Sequence, residues 1–142
     1  MITYKTGDIF SSSCDILVNP VNCVGVMGKG LALSFKKRDP EMFISYKEFC
    51  DQNLILPGIL YLKNNVLNFP TKKHWRDPST LKYIELGLDK FIKSFEIKNI
   101  RSIAFPRLGC DNGGLVWSDV EPLMLKYLEN LNIDIEIWEF SL

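Results

Sequence analysis

Metal-binding residues are scarce and poorly spaced in this chain. Four cysteines stand at 14, 23, 50 and 110 without any C-x-x-C pair, and the single histidine, His74, is remote from all of them. A zinc site is not expected, nor is any other metal or cofactor. In a chain of this size with an adequate core the thiols are expected to stay reduced, as in the cytoplasm. Net charge is missing too. Seventeen basic and seventeen acidic side chains cancel, leaving no global field to pull the protein onto nucleic acid or an anionic membrane. Any anionic ligand must therefore be held by a local site. Apolar runs are short, and residues 1 to 8 carry Lys5 and Asp8 in place of a hydrophobic signal core, so neither a membrane span nor an export signal is expected. There are no internal repeats, linkers or low-complexity stretches, and 142 residues suffice for one domain, taken as 1–142 and expected to act as a monomer.

What is present alternates strand and helix signals. Ile2 to Lys5 and Ile16 to Asn19 read as short strands. Leu31 to Lys37 has helical composition and runs into the bases Lys36, Lys37 and Arg38. Asp39-Pro40 reads as an N-cap with proline at the first helical position, opening a helix whose apolar face is Phe43, Tyr46, Phe49 and Cys50. Ile59 to Leu62 and Val66 to Phe69 form a hairpin through Asn64-Asn65. Leu81, Ile84, Leu88, Phe91, Ile92 and Phe95 recur at helical spacing, weakened slightly by Gly87. Ile100 to Phe105 is an apolar strand. Ser118 and Glu121 form a capping box for a last helix with the stripe Val120, Leu123, Met124, Tyr127, Leu128 and Leu131, and Ile133 to Phe140 is the closing strand. This alternation predicts an α/β/α sandwich around a mixed or mostly parallel sheet.

In such sheets ligands collect where strand ends run into helices. Two glycine-rich loops fall at such places, Asn19 to Gly30, which contains Gly25-Val26-Met27-Gly28-Lys29-Gly30, and Gly109-Cys110-Asp111-Asn112-Gly113-Gly114-Leu115. Glycines let backbone N–H groups approach a diphosphate, and a following helix favours negative charge. Together the loops could clamp one diphosphate; each by itself could equally be a set of turns. Neither has dinucleotide or P-loop spacing, which demotes NAD dehydrogenase and NTPase readings.

The chain resembles the macrodomains, which bind ADP-ribose, over nearly its whole length. The resemblance rests on Gly7-Asp8-Ile9, on Val18-Asn19-Pro20-Val21-Asn22 with Met27-Gly28-Lys29-Gly30, and on Gly109 to Leu115. Within that family, Val24 to Gly30, Phe69-Pro70-Thr71-Lys72-Lys73-His74-Trp75 and Asn112-Gly113-Gly114-Leu115 are similar to the DarG type, DNA ADP-ribosyl glycohydrolases that act as antitoxins and are akin to the terminal ADP-ribose protein glycohydrolase. The resemblance implies a three-layer macrodomain with a mixed central sheet. It implies an adenine end at Asp8 and Ile9, with Trp138 as an aromatic beside the adenine or as a core residue. It implies distal-ribose contacts from Asn22, where a turn-stabilising amide is the other reading. Phosphate contacts fall to Gly28, Lys29 and Gly30, and to the second loop from Pro106 through Gly109, Cys110, Asp111, Asn112, Gly113, Gly114 and Leu115. Cys110 is expected to use its backbone N–H rather than a thiolate.

The same resemblance makes Lys72 the catalytic residue, approaching the anomeric carbon of the distal ribose. An amine whose pKa is lowered by a neighbouring cation such as Lys73, or by partial desolvation, can act as nucleophile or proton acceptor; a solvated basic turn is the plain alternative. One position departs from the protein glycohydrolase. An aspartate of its second loop is replaced by Gly113, as in the DarG type, with Asp111 two positions earlier as a base, a ribose ligand or a loop cap.

The expected activity is hydrolysis of an N- or O-glycosidic bond at the distal ribose C1. The favoured substrate is ADP-ribosylated thymidine in DNA, guided by Lys36, Lys37, Arg38, Lys72, Lys73 and Arg76, with binding that weakens as salt rises. Trp75 would stack on a base or anchor its loop, and His74 would position a phosphate or base or stay solvated. The competing readings are a reader that holds ADP-ribose without turnover and a hydrolase of ADP-ribosylated acidic protein residues or of small ADP-ribose esters and phosphates.

Overall fold

Apolar side chains alternate along the central strands, and that alternation sets the layers. In the computed structural model, which describes residues 1–140, β2 (Ile16–Val21) and β4 (Val66–Pro70) lie side by side and parallel. Val18, Leu67 and Phe69 turn to one face, where they pack with Ile84, Leu88, Phe91, Val120 and Met124 of α3 (Leu81–Ser94) and α4 (Trp117–Leu128). Val21 and Val66 turn to the other face, against Phe35 of α1 (Gly30–Arg38) and Met42, Tyr46 and Cys50 of α2 (Pro40–Asp51). A sheet buried on both faces between helix pairs is the expected α/β/α sandwich. Residues 141 and 142 of the expected 1–142 domain lie outside the described residues.

With β1 (Ile2–Gly7), β3 (Tyr61–Lys63), β5 (Ser102–Pro106) and β6 (Asp134–Phe140), the six strands are ordered β1-β6-β5-β2-β4-β3. All neighbours are parallel except the β3–β4 hairpin. The first loop leaves β2 toward α1 and the second leaves β5 toward α4, so the switch point falls between these two strands. Their pairing is confined to Ile16 with Ile103 and Leu17 with Ala104, although β2 runs on to Val21. Beyond Leu17 the two strands share no ladder, which opens a crevice at their carboxyl ends.

Local signals mostly hold. Asp39 caps α2 by accepting from the Met42 N–H at 3.0 Å, and Asn64 and Asn65 both take positive φ, 52° and 64°, as a two-residue hairpin turn demands. The capping box at Ser118 does not form. Helix α4 starts two residues earlier than a Ser118 cap would place it, at Trp117, with Val116 as a cap that makes no side-chain hydrogen bond, because the Glu121 carboxylate accepts instead from the Tyr4 hydroxyl at 2.7 Å. Ile100 belongs to a turn rather than a strand. Its N–H donates to the Phe95 carbonyl at 2.9 Å and Asn99 is left-handed at φ 57°, which closes the end of α3. Gly87 serves packing: a Cβ there would lie closer than 3.0 Å to ring atoms of Phe69, so the glycine lets α3 sit tightly on β4.

Candidate functional site

The crevice widens into a cleft of about 990 Å³ across the carboxyl ends of the parallel strands, at the upper end of what small-molecule sites use. Asp8 follows β1 at one pole and Lys72 follows β4 at the other. Four strand spacings separate the two elements, roughly 19 Å at ~4.8 Å each. The shape suits an extended ligand with different chemistry at its two ends.

At the first pole the Asp8 carboxylate accepts from the Phe10 N–H at 2.9 Å through Oδ1, capping a short turn over Ile9–Ser11. Its other oxygen makes no hydrogen bond among the described residues. Ile9 is buried and packs with Trp138 and Ala104. Trp138 is both cleft wall and core, since it lines the cleft yet is only 8% exposed. Its indole N–H donates to Glu136 at 2.9 Å, and Glu136 also accepts from the Ser12 hydroxyl at 2.6 Å. Desolvation pushes the Glu136 carboxyl up, but these two bonds, together with Cys14 and the Lys5 charge, hold it below its ordinary pKa. Phe10, which sequence reasoning missed, and Arg38, expected only as one of the bases guiding a strand, complete this end. The Arg38 guanidinium lies 4.0 Å from the Phe10 ring centroid, and both line the cleft.

The middle is built from the two glycine loops. Gly28, Lys29 and Gly30 line one wall, where α1 starts with Lys29 as its N-cap and no capping side chain. The positive end of its dipole thus faces the cleft without a side-chain partner. Pro106, Gly109, Cys110, Asp111, Asn112 and Gly113 line the opposite wall. The walls meet at Gly30, left-handed at φ 62°, where a Cβ would lie closer than 3.0 Å to the Asn112 amide. Gly114 and Leu115 do not line the cleft; Leu115 packs behind the loop, its Cδ1 2.8 Å from where a Gly109 Cβ would stand. The Cys110 N–H closes a turn onto the Arg107 carbonyl at 3.2 Å. Burial, then the Asp111 charge, push its thiol up to about 11, so it is no thiolate.

Gly113 has no room for a side chain. A Cβ would lie closer than 3.0 Å to the Ser79 hydroxyl and to the carbonyl oxygen and carbon of Gly109. The Ser79 N–H donates to the Gly113 carbonyl at 2.9 Å, while the Ser79 hydroxyl is buried without a partner among the described residues. The absence of an aspartate at position 113 is thus built into the packing of the loop.

At the far pole Thr71 is buried and Lys72 half-buried, with the Lys72 ammonium donating to the Asn112 carbonyl at 3.2 Å. That bond ties the lysine to the second loop. Desolvation lowers the amine's pKa, the Lys29 charge lowers it further, and Asp77 opposes both. The sequence pointed to Lys73 as the responsible cation; in the fold Lys73 extends over the Tyr83 ring at 5.8 Å, and Lys29, brought across by the first loop, takes that part. Asn22 lines the cleft but spends its amide on the loop. Its Nδ2 donates to the Val26 carbonyl at 2.7 Å, and its Oδ1 accepts from the Val24 N–H at 3.0 Å and the Tyr46 hydroxyl at 3.0 Å. Of the basic set, only Arg38 and Lys72 line the cleft, and Lys36 instead covers the Phe43 ring at 4.3 Å. His74 accepts from the Arg76 N–H at 3.1 Å and closes a turn. No cluster of three or more His, Cys, Asp or Glu forms among the described residues.

A family model described as the Macro domain matches residues 18–124, and the chain belongs to that family. It is 45% identical over 147 residues to a DNA ADP-ribosyl glycohydrolase of Mycobacterium tuberculosis, covering 97% of this chain and 42% of the relative. It is 37% identical over 149 residues to a protein of the same description from Thermus aquaticus, covering 99% and 41%. The chain spans about two fifths of the length of these curated relatives. The macrodomain of Mycobacterium tuberculosis DarG superposes with a TM-score of 0.95 at 45% identity over 99% of both chains. Thermosipho africanus DarTG in complex with ADP-ribose superposes with 0.87 at 36% identity, over 94% of this chain and 41% of that one.

Proposed function

We propose that this chain is an ADP-ribosyl glycohydrolase that removes ADP-ribose from DNA, with thymidine-linked ADP-ribose as favoured substrate and Lys72 as the catalytic residue. The observation that carries the reading is the placement of one half-buried amine, with its pKa lowered, at the end of the cleft opposite Asp8 and Trp138, tied to a glycine loop that can hold phosphate. The names of the relatives and the ADP-ribose held by the Thermosipho africanus structure support it.

In this reading the adenine lies against Trp138 with Asp8 accepting from its amino group, and the diphosphate lies between the two loops under the α1 N-terminus. The distal ribose then reaches Lys72 beside the loop that Asn22 braces. Cleavage breaks the bond from C1 to the base, the base departs with the bonding pair, and positive charge builds on the sugar. Water supplies hydroxide to C1 and a proton to the base. Attack by the amine on C1 and removal of a proton from water both require a free lone pair, and an ammonium would repel the charge developing on the sugar. The effect of Lys29 on Lys72 therefore favours reaction. From the wide, irregular spacing of its four cysteines the protein is read as cytoplasmic, and it is read as working as a monomer.

The pH profile follows. Turnover rises with pH through the Lys72 pKa, below the ordinary 10.5. Lys29→Gln removes a repelling cation, raises that pKa and moves the rise in kcat to higher pH; a profile that stays in place would remove Lys29 from the account. The direct test compares release of ADP-ribose from ADP-ribosylated thymidine in a single-stranded oligonucleotide with release from ADP-ribosylated glutamate. Faster release from the oligonucleotide is expected. Faster release from glutamate would assign the enzyme to proteins, and binding without release from either would make it a reader.

A further inference from the structure

Trp75 is a costly residue to leave at the surface. It is 44% exposed, lines the rim of the cleft three positions beyond Lys72, and belongs to none of the three hydrophobic clusters among the described residues. The loop does not need it as an anchor into the core. The turn around it is already fixed by the Arg76 N–H on the His74 ring at 3.1 Å and the Asp77 N–H on the His74 carbonyl at 3.0 Å. The indole's neighbours are the Arg76 guanidinium, 4.6 Å from its centroid, and the His74 ring, 5.2 Å away. An exposed indole with a cation beside it is what single-strand binders present to bases and phosphates.

Resting on the hydrolase reading above, we propose that Trp75 is a stacking platform for the nucleobase next to the modified nucleotide in single-stranded DNA, with Arg76 and the exposed Lys73 facing the adjoining phosphates. The linked base leaves from C1 beside Lys72, so the strand that carries it has to pass the rim where Trp75 stands. The platform adds affinity only when a neighbouring nucleotide exists. It therefore separates a DNA strand from a lone modified nucleoside, and it is sequence-tolerant because every base offers a π face.

The test compares kcat/KM on a single-stranded oligonucleotide bearing one ADP-ribosylated thymidine with kcat/KM on ADP-ribosylated thymidine as a nucleoside. The wild type is expected to prefer the oligonucleotide. Trp75→Ala is expected to lower that preference about 10-fold, in line with the loss of one stacked base, and Trp75→Phe to keep most of it. Calorimetric binding of ADP-ribose by each variant confirms that it is folded. A preference unchanged in Trp75→Ala, a parallel loss on both substrates, or a wild type with no preference would each overturn the platform while leaving the hydrolase intact. Wild-type protein that releases ADP-ribose from neither substrate would instead bring down the hydrolase reading, and the platform with it.

Discussion

Lys72→Ala is expected to lower release of ADP-ribose from thymidine-linked DNA by about 10³-fold, within the range found when a positioned acid–base group is removed, while ADP-ribose itself still binds. The separation follows from where the side chain sits. The adenine end and both phosphate loops are assembled by other residues, and Lys72 contributes one hydrogen bond, to the Asn112 carbonyl at 3.2 Å. Losing it removes the amine whose pKa is lowered at the reacting end of the proposed ligand but leaves the cradle. Lys72→Arg is expected to be equally inactive, because a guanidinium keeps its proton at any pH the protein survives. Single-turnover assays with excess enzyme check both variants. Residual hydrolysis within 10-fold of wild type would move the chemistry to another group, with Asp111 next in line on the cleft wall.

Gly113→Asp is the second large effect, and its direction is opposite to what simple transfer of an acidic residue would suggest. Restoring the aspartate of the protein glycohydrolase at this position does not create a second catalytic group, because the side chain has nowhere to go. Its Cβ meets the Ser79 hydroxyl and the backbone of Gly109, the latter carbon at 2.8 Å. A clash with backbone of the same loop cannot be relieved by a rotamer change, so the loop must open. The expected cost is about 1–3 kcal/mol of stability, the usual range for overpacking, seen as a drop in Tm, together with loss of most ADP-ribose affinity. Ser79→Ala combined with Gly113→Asp should not recover binding, since the Gly109 clash remains. A Gly113→Asp protein that keeps its Tm and gains release from ADP-ribosylated glutamate would show that the loop is softer than its packing indicates.

Features set by neighbouring residues were legible in the sequence, and features set by contact across the fold were not. The two glycine loops, the Asp39 cap and the Asn64-Asn65 turn depend on a few consecutive residues, and all stand where the pattern puts them. Strand–helix alternation was enough to place both loops at carboxyl ends of strands. The capping box failed because the Glu121 carboxylate was claimed by Tyr4, 117 positions away in the chain. The same kind of distance hid the cation beside Lys72. Lys73 is its neighbour in sequence, but Lys29 is the one that acts on it. Arg38 read as part of a basic run, and only the fold lays it over Phe10. Asn22 was read as a ribose contact or a turn-stabilising amide; it lines the cleft, with its amide engaged with the Val24 and Val26 backbone and with Tyr46 of α2. Ser79 carried no signal at all, since its importance comes from a buried hydroxyl pressed against Gly113.

The strand register adds what no motif carries. Because β2 and β5 pair at only two positions, the cleft opens at the switch point, and the two loops face each other across it. A diphosphate held there would use the peptide groups of both loops and the uncapped start of α1, so a strongly localised anion site can exist on a chain whose charges cancel. Calorimetric titration of ADP-ribose into the wild-type protein tests this most directly. Saturable binding of one molecule per chain, much weaker in Gly113→Asp and retained in Lys72→Ala, is the predicted result; an absence of heat, or equal affinity in the Gly113→Asp variant, would contradict it.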